Sequence, residues 1–343
     1  MTFGRHKPIP KKNKLSVAYI VERLRDRVDI EVNALVAEEN SEENYVTEAD
    51  LHRPGLALAG FVKLFTYQRL QIIGNTETRY LKSLSTDEQC EAFSNLLQFD
   101  IPALFITHNN DLAAPLLQMA KENGTPVYRT PVESTRFLQL LRDFLDDQFA
   151  LQTMVHGSMV DVYGVGILIA GKSGIGKSEV ALDLVERGHR LVSDDAVILT
   201  KKNNVLMTSA TEMNKHYMEI RGLGIIDIMS MFGVRAIRYQ KRLEIVLELS
   251  LWDEESQDIE RTGLNRETTS IMGVDIPLIR LPITPGKNIT VIAEVIAMNY
   301  LLRHYGYDPA EAFQQKVKKH IAKKKQSPST PRRAIEYFEG DVE

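Results

Sequence analysis

The segment Gly171-Lys172-Ser173-Gly174-Ile175-Gly176-Lys177-Ser178 fits the pattern G-x-x-x-x-G-K-[ST], and each residue type in it suits the holding of phosphate. Glycines at 171, 174 and 176 let the backbone turn its N–H groups inward around phosphate oxygens with no Cβ in the way. Lys177 brings a point charge to the β- and γ-phosphates, and Ser178 offers a hydroxyl to Mg²⁺, which takes hard oxygen ligands. An apolar strand-like run, Gly166 to Ala170, leads in. An amphipathic helix, Glu179 to Arg187, leads out and adds its positive N-terminal end. Average residue usage produces this pattern by accident in about 1% of chains of this length, so a nucleotide cradle is favoured over a glycine-rich turn.

Carboxylates follow at spacings that suit metal ligation or proton transfer. His189 to Val192 reads as a strand finishing at Ser193-Asp194-Asp195. Neighbouring strand residues point to opposite faces, so at most one of Asp194 and Asp195 faces the phosphates while the strand persists. The plainer alternative is an Asp pair ending a strand in a turn. A second glycine-rich element, Met218 to Ile228, carries Glu219 and Arg221 two apart. At strand spacing both lie on one face, a carboxylate for metal beside a guanidinium for phosphate oxygens, although a structural ion pair is equally compatible. Gly222 and Gly224 permit close backbone approach. No Asn-Lys-x-Asp is present to read guanine, and the glycine loop plus His-Arg-Asp set of ordinary protein kinases is missing.

The elements that must position these groups divide the chain in two. A length of 343 residues suggests about two domains. Leu15 to Leu24 has helical apolar spacing, and Asp29 to Val36 alternates like a strand. Arg69 to Ile73, Pro102 to Thr107 and Pro126 to Tyr128 read as further strands, with a helix over Leu112 to Lys121. The expected fold class is α/β: a small N-terminal α/β domain over 15–133, a connecting helix over 134–150, and a C-terminal P-loop domain over 151–325. Residues 1–14 and 326–343 read as flexible tails. The polar cluster Thr107-His108-Asn109-Asn110-Asp111 ends a strand, a common place for ligand sites in α/β folds, and is expected instead to be a loop that caps the helix beginning at Leu112.

Charge and composition exclude several classes. The first fourteen residues carry +5 and residues 316–343 carry +4, so a net charge of −4 leaves the body near −13. An acidic globule with basic tails repels a phosphate backbone, and no nucleic-acid partner is expected. The single cysteine, Cys90, forms no internal disulfide and no cysteine-rich zinc site, which suits a reducing, cytoplasmic home. No run approaches the ~18 apolar residues of a membrane span. Ile289 to Leu302, interrupted by Glu294, reads instead as a buried helix. The N-terminal apolar run Leu15 to Val21 stops at charged residues without a cleavage site, so no secretory signal is expected.

Taken together, residues 156–179 (HGSMVDVYGVGILIAGKSGIGKSE), 191–195 (LVSDD) and 219–228 (EIRGLGIIDI) closely resemble HPr kinase/phosphorylase, a bacterial enzyme family acting on a serine of the phosphocarrier HPr. RTGL (261–264), PITPGKN (282–288), RPGLALAG (53–60) and RLQIIGNTE (69–77) extend the resemblance over most of the chain outside the tails. The resemblance implies a C-terminal kinase domain in which the loop 171–178 and Lys177 hold ATP, while Ser178 and Glu219 hold Mg²⁺. It implies that Asp195 takes the serine proton in phosphorylation and returns one when inorganic phosphate attacks phosphoserine to release pyrophosphate. His156 and Arg261 match active-site positions of the family. The stretch Glu219-Ile220-Arg221-Gly222-Leu223-Gly224-Ile225-Ile226-Asp227-Ile228 matches its signature element. Pro282-Ile283-Thr284-Pro285-Gly286-Lys287 matches the loop associated with dephosphorylation. Lys287 stands where the family usually has arginine, keeping the charge and losing the bidentate fork, and Lys172 occupies a variable place.

By itself His156 reads as a satisfied strand histidine and Arg261 as a surface arginine, so their roles rest on the resemblance. The resemblance also implies a homo-oligomer, a hexamer, working in bacterial carbon catabolite regulation. Two other functions fit a phosphate loop: a P-loop kinase of a small metabolite, and a non-catalytic ATP-sensing regulator. The pairing of Asp195 with Glu219 argues against the sensor, since binding alone needs only the cradle.

Overall fold

The computed structural model describes residues 8–27, 30–251, 267–284 and 286–326, and the chain forms two compact units. The N-terminal unit runs to Thr153 and takes back Thr200–Asn204; the C-terminal unit holds Met154–Leu199 and the chain from Val205 onward.

In the N-terminal unit, strands β1 (Asn33–Val36), β2 (Leu51–His52), β3 (Leu70–Ile73), β4 (Leu104–Ile106) and β5 (Val127–Arg129) form one sheet in the order β1-β5-β4-β3-β2. β2 to β5 are mutually parallel and β1 pairs antiparallel with β5. Every residue of β3 and β4 is buried, as parallel strands covered on both faces require. Adjacent residues therefore serve different cores. Ile72, Phe105 and Tyr128 pack with Val17, Ile20 and Leu24 of α1 (Val17–Arg27). Ile73, Leu104, Ile106 and Val127 pack on the opposite side with Leu81 of α2 (Asn75–Lys82), Phe93 of α3 (Thr86–Leu97) and Leu116 of α4 (Ala114–Glu122). Helix α5 (Ser134–Gln148) lays Phe137, Leu141 and Leu145 into the first of these cores, so the predicted connector is also a packing element of this unit.

Two local expectations are corrected here. Thr107 to Asp111 does not cap α4, whose N-cap is Ala113 with no side-chain cap. Tertiary partners claim the cluster instead. Thr107 Oγ1 lies 2.6 Å from Ser134 Oγ, Asn110 donates to Asn75 at 2.8 Å, and Asp111 pairs with Arg129. Residues 8–14 are not a loose tail: Ile9–Pro10 pairs with Leu151 and Gln152, and Lys11 bridges to Asp147 at 3.2 Å. The other tail residues, 1–7 and 327–343, lie outside the described residues.

The C-terminal unit takes β6 (Leu151–His156) from Met154 onward, then β7 (Ser158–Val162) and β8 (Val165–Gly171), followed by α6 (Lys177–Glu186) and β9 (Arg190–Ser193). Then come β10 (Ala196–Lys202), β11 (Val205–Ala210), and the hairpin β12 (Tyr217–Ile220) and β13 (Gly224–Asp227). α7 (Ile228–Phe232), β14 (Gln240–Arg242), β15 (Ile245–Leu251), β16 (Glu267–Ile271), β17 (Val274–Ile283), α8 (Ile289–His304) and α9 (Pro309–Gln326) complete it. The main sheet has the order β9-β7-β8-β15-β17-β16. Ile167, Ile169, Leu247 and Leu249 face α6 and α8, while Leu168, Ala170 and Val246 face a second core with Val197, Leu199 and Leu206. This leaves β8 buried on both faces, a rigid base for the loop it feeds.

Helix α8 is only half buried. Ile289, Ala293, Glu294 and Ala297 face inward, while Val291, Val295, Met298 and Leu302 are exposed. Glu294 does not interrupt the helix, because Arg187 neutralises it through two hydrogen bonds of 2.9 and 2.7 Å and His189 lies 3.1 Å away.

Candidate active site

Strand directions bring the functional segments to one edge of the main sheet. β8 runs parallel to β15 and β15 to β17, with Gly171, Leu249 and Leu281 in register. The phosphate loop after β8, the Pro282 loop after β17 and the chain leaving β15 at Leu251 thus start from the same carboxyl edge, where α/β sheets bind ligands. With strands ~4.8 Å apart, the Pro282 loop begins about 10 Å from the phosphate loop. β7 is antiparallel to β8 and starts there, Ser158 opposite Ile169. β9 is antiparallel to β7 and ends there, Ser193 opposite Met159, which delivers Asp194 and Asp195.

The loop 171–178 has the conformation its glycines allow, with φ of +76° at Gly174 and +99° at Gly176. α6 starts at Lys177 behind Gly176 with no side-chain cap, so its first N–H groups are not taken by a capping side chain and suit an anion. Lys177 is buried, and its ammonium donates to the Lys172 carbonyl at 3.2 Å, curled over the cradle. Arg221 covers the loop from the β12–β13 turn. A Cβ on Gly174 would stand 2.9 and 3.0 Å from its two terminal nitrogens. Glu219 and Arg221 do not share a strand face, because β12 ends at Ile220. Arg221 reaches the phosphate loop from the turn.

The two aspartates have separate positions. Asp194 is 2% exposed and its carboxylate accepts from Ser158 Oγ at 2.5 Å and from Ser178 Oγ at 3.1 and 3.0 Å. Backbone N–H groups of Glu219 and Asp195 also reach it. Burial pushes this carboxyl above the usual carboxylate range, and the hydroxyl and amide donors oppose that only in part. Asp195 turns outward at φ +65°, and its Oδ1 meets His156 Nδ1 at 2.9 Å. Its side chain is 63% exposed and that of His156 51%. Gly157 N–H closes the corner on the Asp195 carbonyl at 3.1 Å, and a Cβ at Gly157 would collide with the Ile169 carbonyl at 2.7 Å.

Sequence reasoning gave Asp194 no role, yet it is the carboxylate that joins Ser178 to the backbone of Glu219. Its position directly before Asp195, one residue past a buried strand, was the available signal. Within the signature element, Ile220, Ile226 and Ile228 pack into the core, Leu223 and Ile225 are exposed, and Asp227 caps α7 through Ser230 N–H at 3.1 Å. In the Pro282 loop, Lys287 Nζ donates to the Pro282 carbonyl at 3.1 Å and Gly286 takes φ +83°. Arg261 and Pro285 lie outside the described residues.

Asp194 joins the Ser178 hydroxyl to the backbone N–H of Glu219, and Ser178 and Glu219 carry the hard oxygen atoms that suit Mg²⁺ completed by phosphate oxygens. No group of three or more His, Cys, Asp or Glu forms an all-protein metal cage among the described residues.

Two family models match the chain: HPr Serine kinase N terminus over residues 15–145 and HPr Serine kinase C-terminal domain over residues 147–317. The HPr kinase/phosphorylase of Chloroherpeton thalassium is 55% identical over 338 residues, covering 98% of this chain and 98% of that protein. That of Prosthecochloris aestuarii is 56% identical over 313 residues, covering 91% of this chain and 92% of its own length. A solved structure, the Hpr(Ser) kinase/phosphatase from Coxiella burnetii, is 34% identical with a TM-score of 0.42, covering 47% of this chain and 98% of that one.

Proposed function

The chain belongs to the HPr kinase/phosphorylase family, and from that premise we propose that it transfers phosphate from ATP to a serine of HPr and removes it with inorganic phosphate, releasing pyrophosphate. The carrying observation is the exposed Asp195–His156 pair standing beside the phosphate cradle. A kinase of a small metabolite encloses its substrate to exclude water. Here the proposed base is open enough for the surface of a folded protein to reach it.

In the kinase direction, the loop 171–178 and Lys177 hold the nucleotide phosphates and Arg221 neutralises charge from above Gly174. Asp195 Oδ2 accepts the serine proton while His156 holds Oδ1 and so fixes the carboxylate plane. In the reverse direction the same carboxyl, protonated, returns a proton to the leaving serine oxygen. Phosphoryl transfer asks mainly for positioning and charge neutralisation, which these groups provide. Ser178 and Glu219 would hold Mg²⁺, and when bound the ion offsets phosphate charge. Arg261 and the Pro282–Lys287 loop belong to the same reading as active-site and dephosphorylation elements. So do a homo-hexameric state, a cytoplasmic location and a part in bacterial carbon catabolite regulation. Among the described residues no helix is long and apolar enough to cross a membrane.

Intact mass of HPr incubated with this protein, ATP and Mg²⁺ tests the reading. A gain of one phosphoryl group on serine, lost with Asp195→Ala, is the expected result. ATP binding with no product on HPr would move the assignment to a sensor or a small-molecule kinase.

A further inference from the structure

Asp195 occupies the middle of a three-residue turn. Ala196 N–H donates to the Asp194 carbonyl at 2.8 Å across it, and Asp195 has φ +65°. An i to i+2 bond with positive φ marks the rarer, strained form of the γ-turn. Such a conformation at a residue with a side chain persists only where the surroundings over-determine it.

The surroundings here centre on Asn214, in the segment between β11 and β12. Its Nδ2 donates to the Asp194 carbonyl at 2.6 Å, to the Ala196 carbonyl at 2.9 Å, and toward Ser193 Oγ at 3.3 Å. These partners span the whole turn. Its Oδ1 accepts from Thr211 N–H at 2.8 Å and Thr211 Oγ1 at 2.5 Å. Its own carbonyl accepts at 3.2 Å from the N–H of Tyr217, the first residue of the strand that carries Glu219.

We propose that Asn214 is a positioning residue: its amide clamps the strained turn that presents Asp195 and ties that turn to the hairpin bearing Glu219. The proposal rests on the reading of Asp195 as the base. Only an amide of this length serves both sides, because its NH₂ carries two donors toward carbonyls while its oxygen accepts from Thr211. Aspartate would set oxygen against carbonyl oxygen. Leucine would leave those groups without their partner. With the clamp gone, the turn relaxes toward negative φ and carries the carboxylate away from the cradle, and misplacement by about 1 Å costs a transfer reaction roughly 100-fold.

The test uses the full chain with Asn214→Ala and Asn214→Asp, together with Asn214→Ala in an Asp195→Ala background. Amide hydrogen exchange is read over residues 193–197 and 171–178, beside kcat for HPr phosphorylation and nucleotide Kd. Exchange at 193–197 is expected to quicken while 171–178 holds. On the same reading kcat falls about 10- to 100-fold with nucleotide Kd within about twofold, and Asn214→Ala adds nothing to the residual rate of Asp195→Ala. Thr211→Val, which removes only the hydroxyl behind Asn214, is expected to give a smaller loss in the same direction, and it serves where Asn214 variants fold poorly. Unchanged exchange at 193–197, kcat retained within twofold, or losses that multiply with those of Asp195→Ala would overturn the proposal. The exchange arm needs no acceptor, so a wild-type chain silent toward HPr would sink the acceptor reading while leaving the clamp decided on its own terms.

Discussion

Replacing Gly174 by alanine separates two contributions that the phosphate loop combines. The first is conformational: at φ +76° a Cβ costs roughly 1–2 kcal/mol. The second is the displacement of Arg221, since the new methyl would lie 2.9 and 3.0 Å from its terminal nitrogens and 3.2 Å from Cζ. Ordinary contact needs about 3.5–4.0 Å, so the guanidinium must withdraw by roughly 0.5–1 Å. That is enough to weaken a charge-assisted hydrogen bond to phosphate, which contributes about 1.5–3 kcal/mol. The first falls on folding stability; the second predicts a loss of about 1.5–3 kcal/mol in transition-state stabilisation, or roughly 10- to 150-fold in kcat/KM for HPr phosphorylation.

Gly188→Ala is the matched control, because Gly188 has φ +96° with nothing within 4 Å of its would-be Cβ. It should lower stability by about 1 kcal/mol and leave transfer alone. Arg221→Ala should reproduce most of the Gly174→Ala loss, and the double variant should be little worse than Arg221→Ala alone. The assay is the initial rate of HPr phosphorylation by intact mass, with a thermal melt of each variant. If Gly174→Ala keeps kcat/KM within twofold, or if its loss multiplies with that of Arg221→Ala, the guanidinium is not acting over Gly174 and the reasoning fails.

Two further outcomes follow from the carboxylates. On the proposed reading Asp195 serves both directions and must be ionised for kinase turnover and protonated for phosphorolysis, so the phosphorolytic optimum should lie at lower pH; saturating kcat profiles with coincident optima would contradict this. Asp194 has its carboxyl raised by burial, so the folded state holds the proton more tightly than the unfolded chain, and stability is full below the ordinary aspartate range and falls as pH rises through the folded value. Asp194→Asn is therefore expected to raise Tm at pH 7–8, by about 2–4 °C for each kcal/mol relieved, to converge with wild type in acid, and to lose transfer activity; a lower Tm at pH 7–8 would show that the lost acceptors outweigh the relieved charge.

What could be read from sequence was local. Gly171 to Ser178 announces itself because each residue type answers a separate demand of phosphate, and its flanking strand and helix are both found, as β8 and α6. Leu70–Ile73 and Leu104–Ile106 were visible as short apolar runs between turn signals, the form a strand buried on both faces must take. The failures share one cause, a distant partner outbidding a local preference. Asn110 and Asp111 look like caps, but Asn75 and Arg129 take them. Lys11 looks like part of a loose tail until Asp147 holds it. Glu294 looks like an interruption in an apolar helix until Arg187 and His189 neutralise it.

The Asp194–Asp195 pair carries this logic into the site itself. Period-two alternation lets at most one of the two face the phosphates while the strand persists, but β9 ends at Ser193, and alternation cannot say which one goes inward or what each then does. Burial decides the first question: Asp194 continues the inward sense of the strand end and meets Ser158 and Ser178. The second depends on a turn at φ +65° that no propensity favours at aspartate, held from outside by Asn214. The division suits the proposed chemistry, transfer to a serine of another folded protein. A carboxylate that orders the Ser178 hydroxyl and the Glu219 backbone gains precision from being dry. A carboxylate with the role proposed for Asp195, taking a proton from another protein's serine, has to stand in the open, on a backbone stiff enough to hold it there.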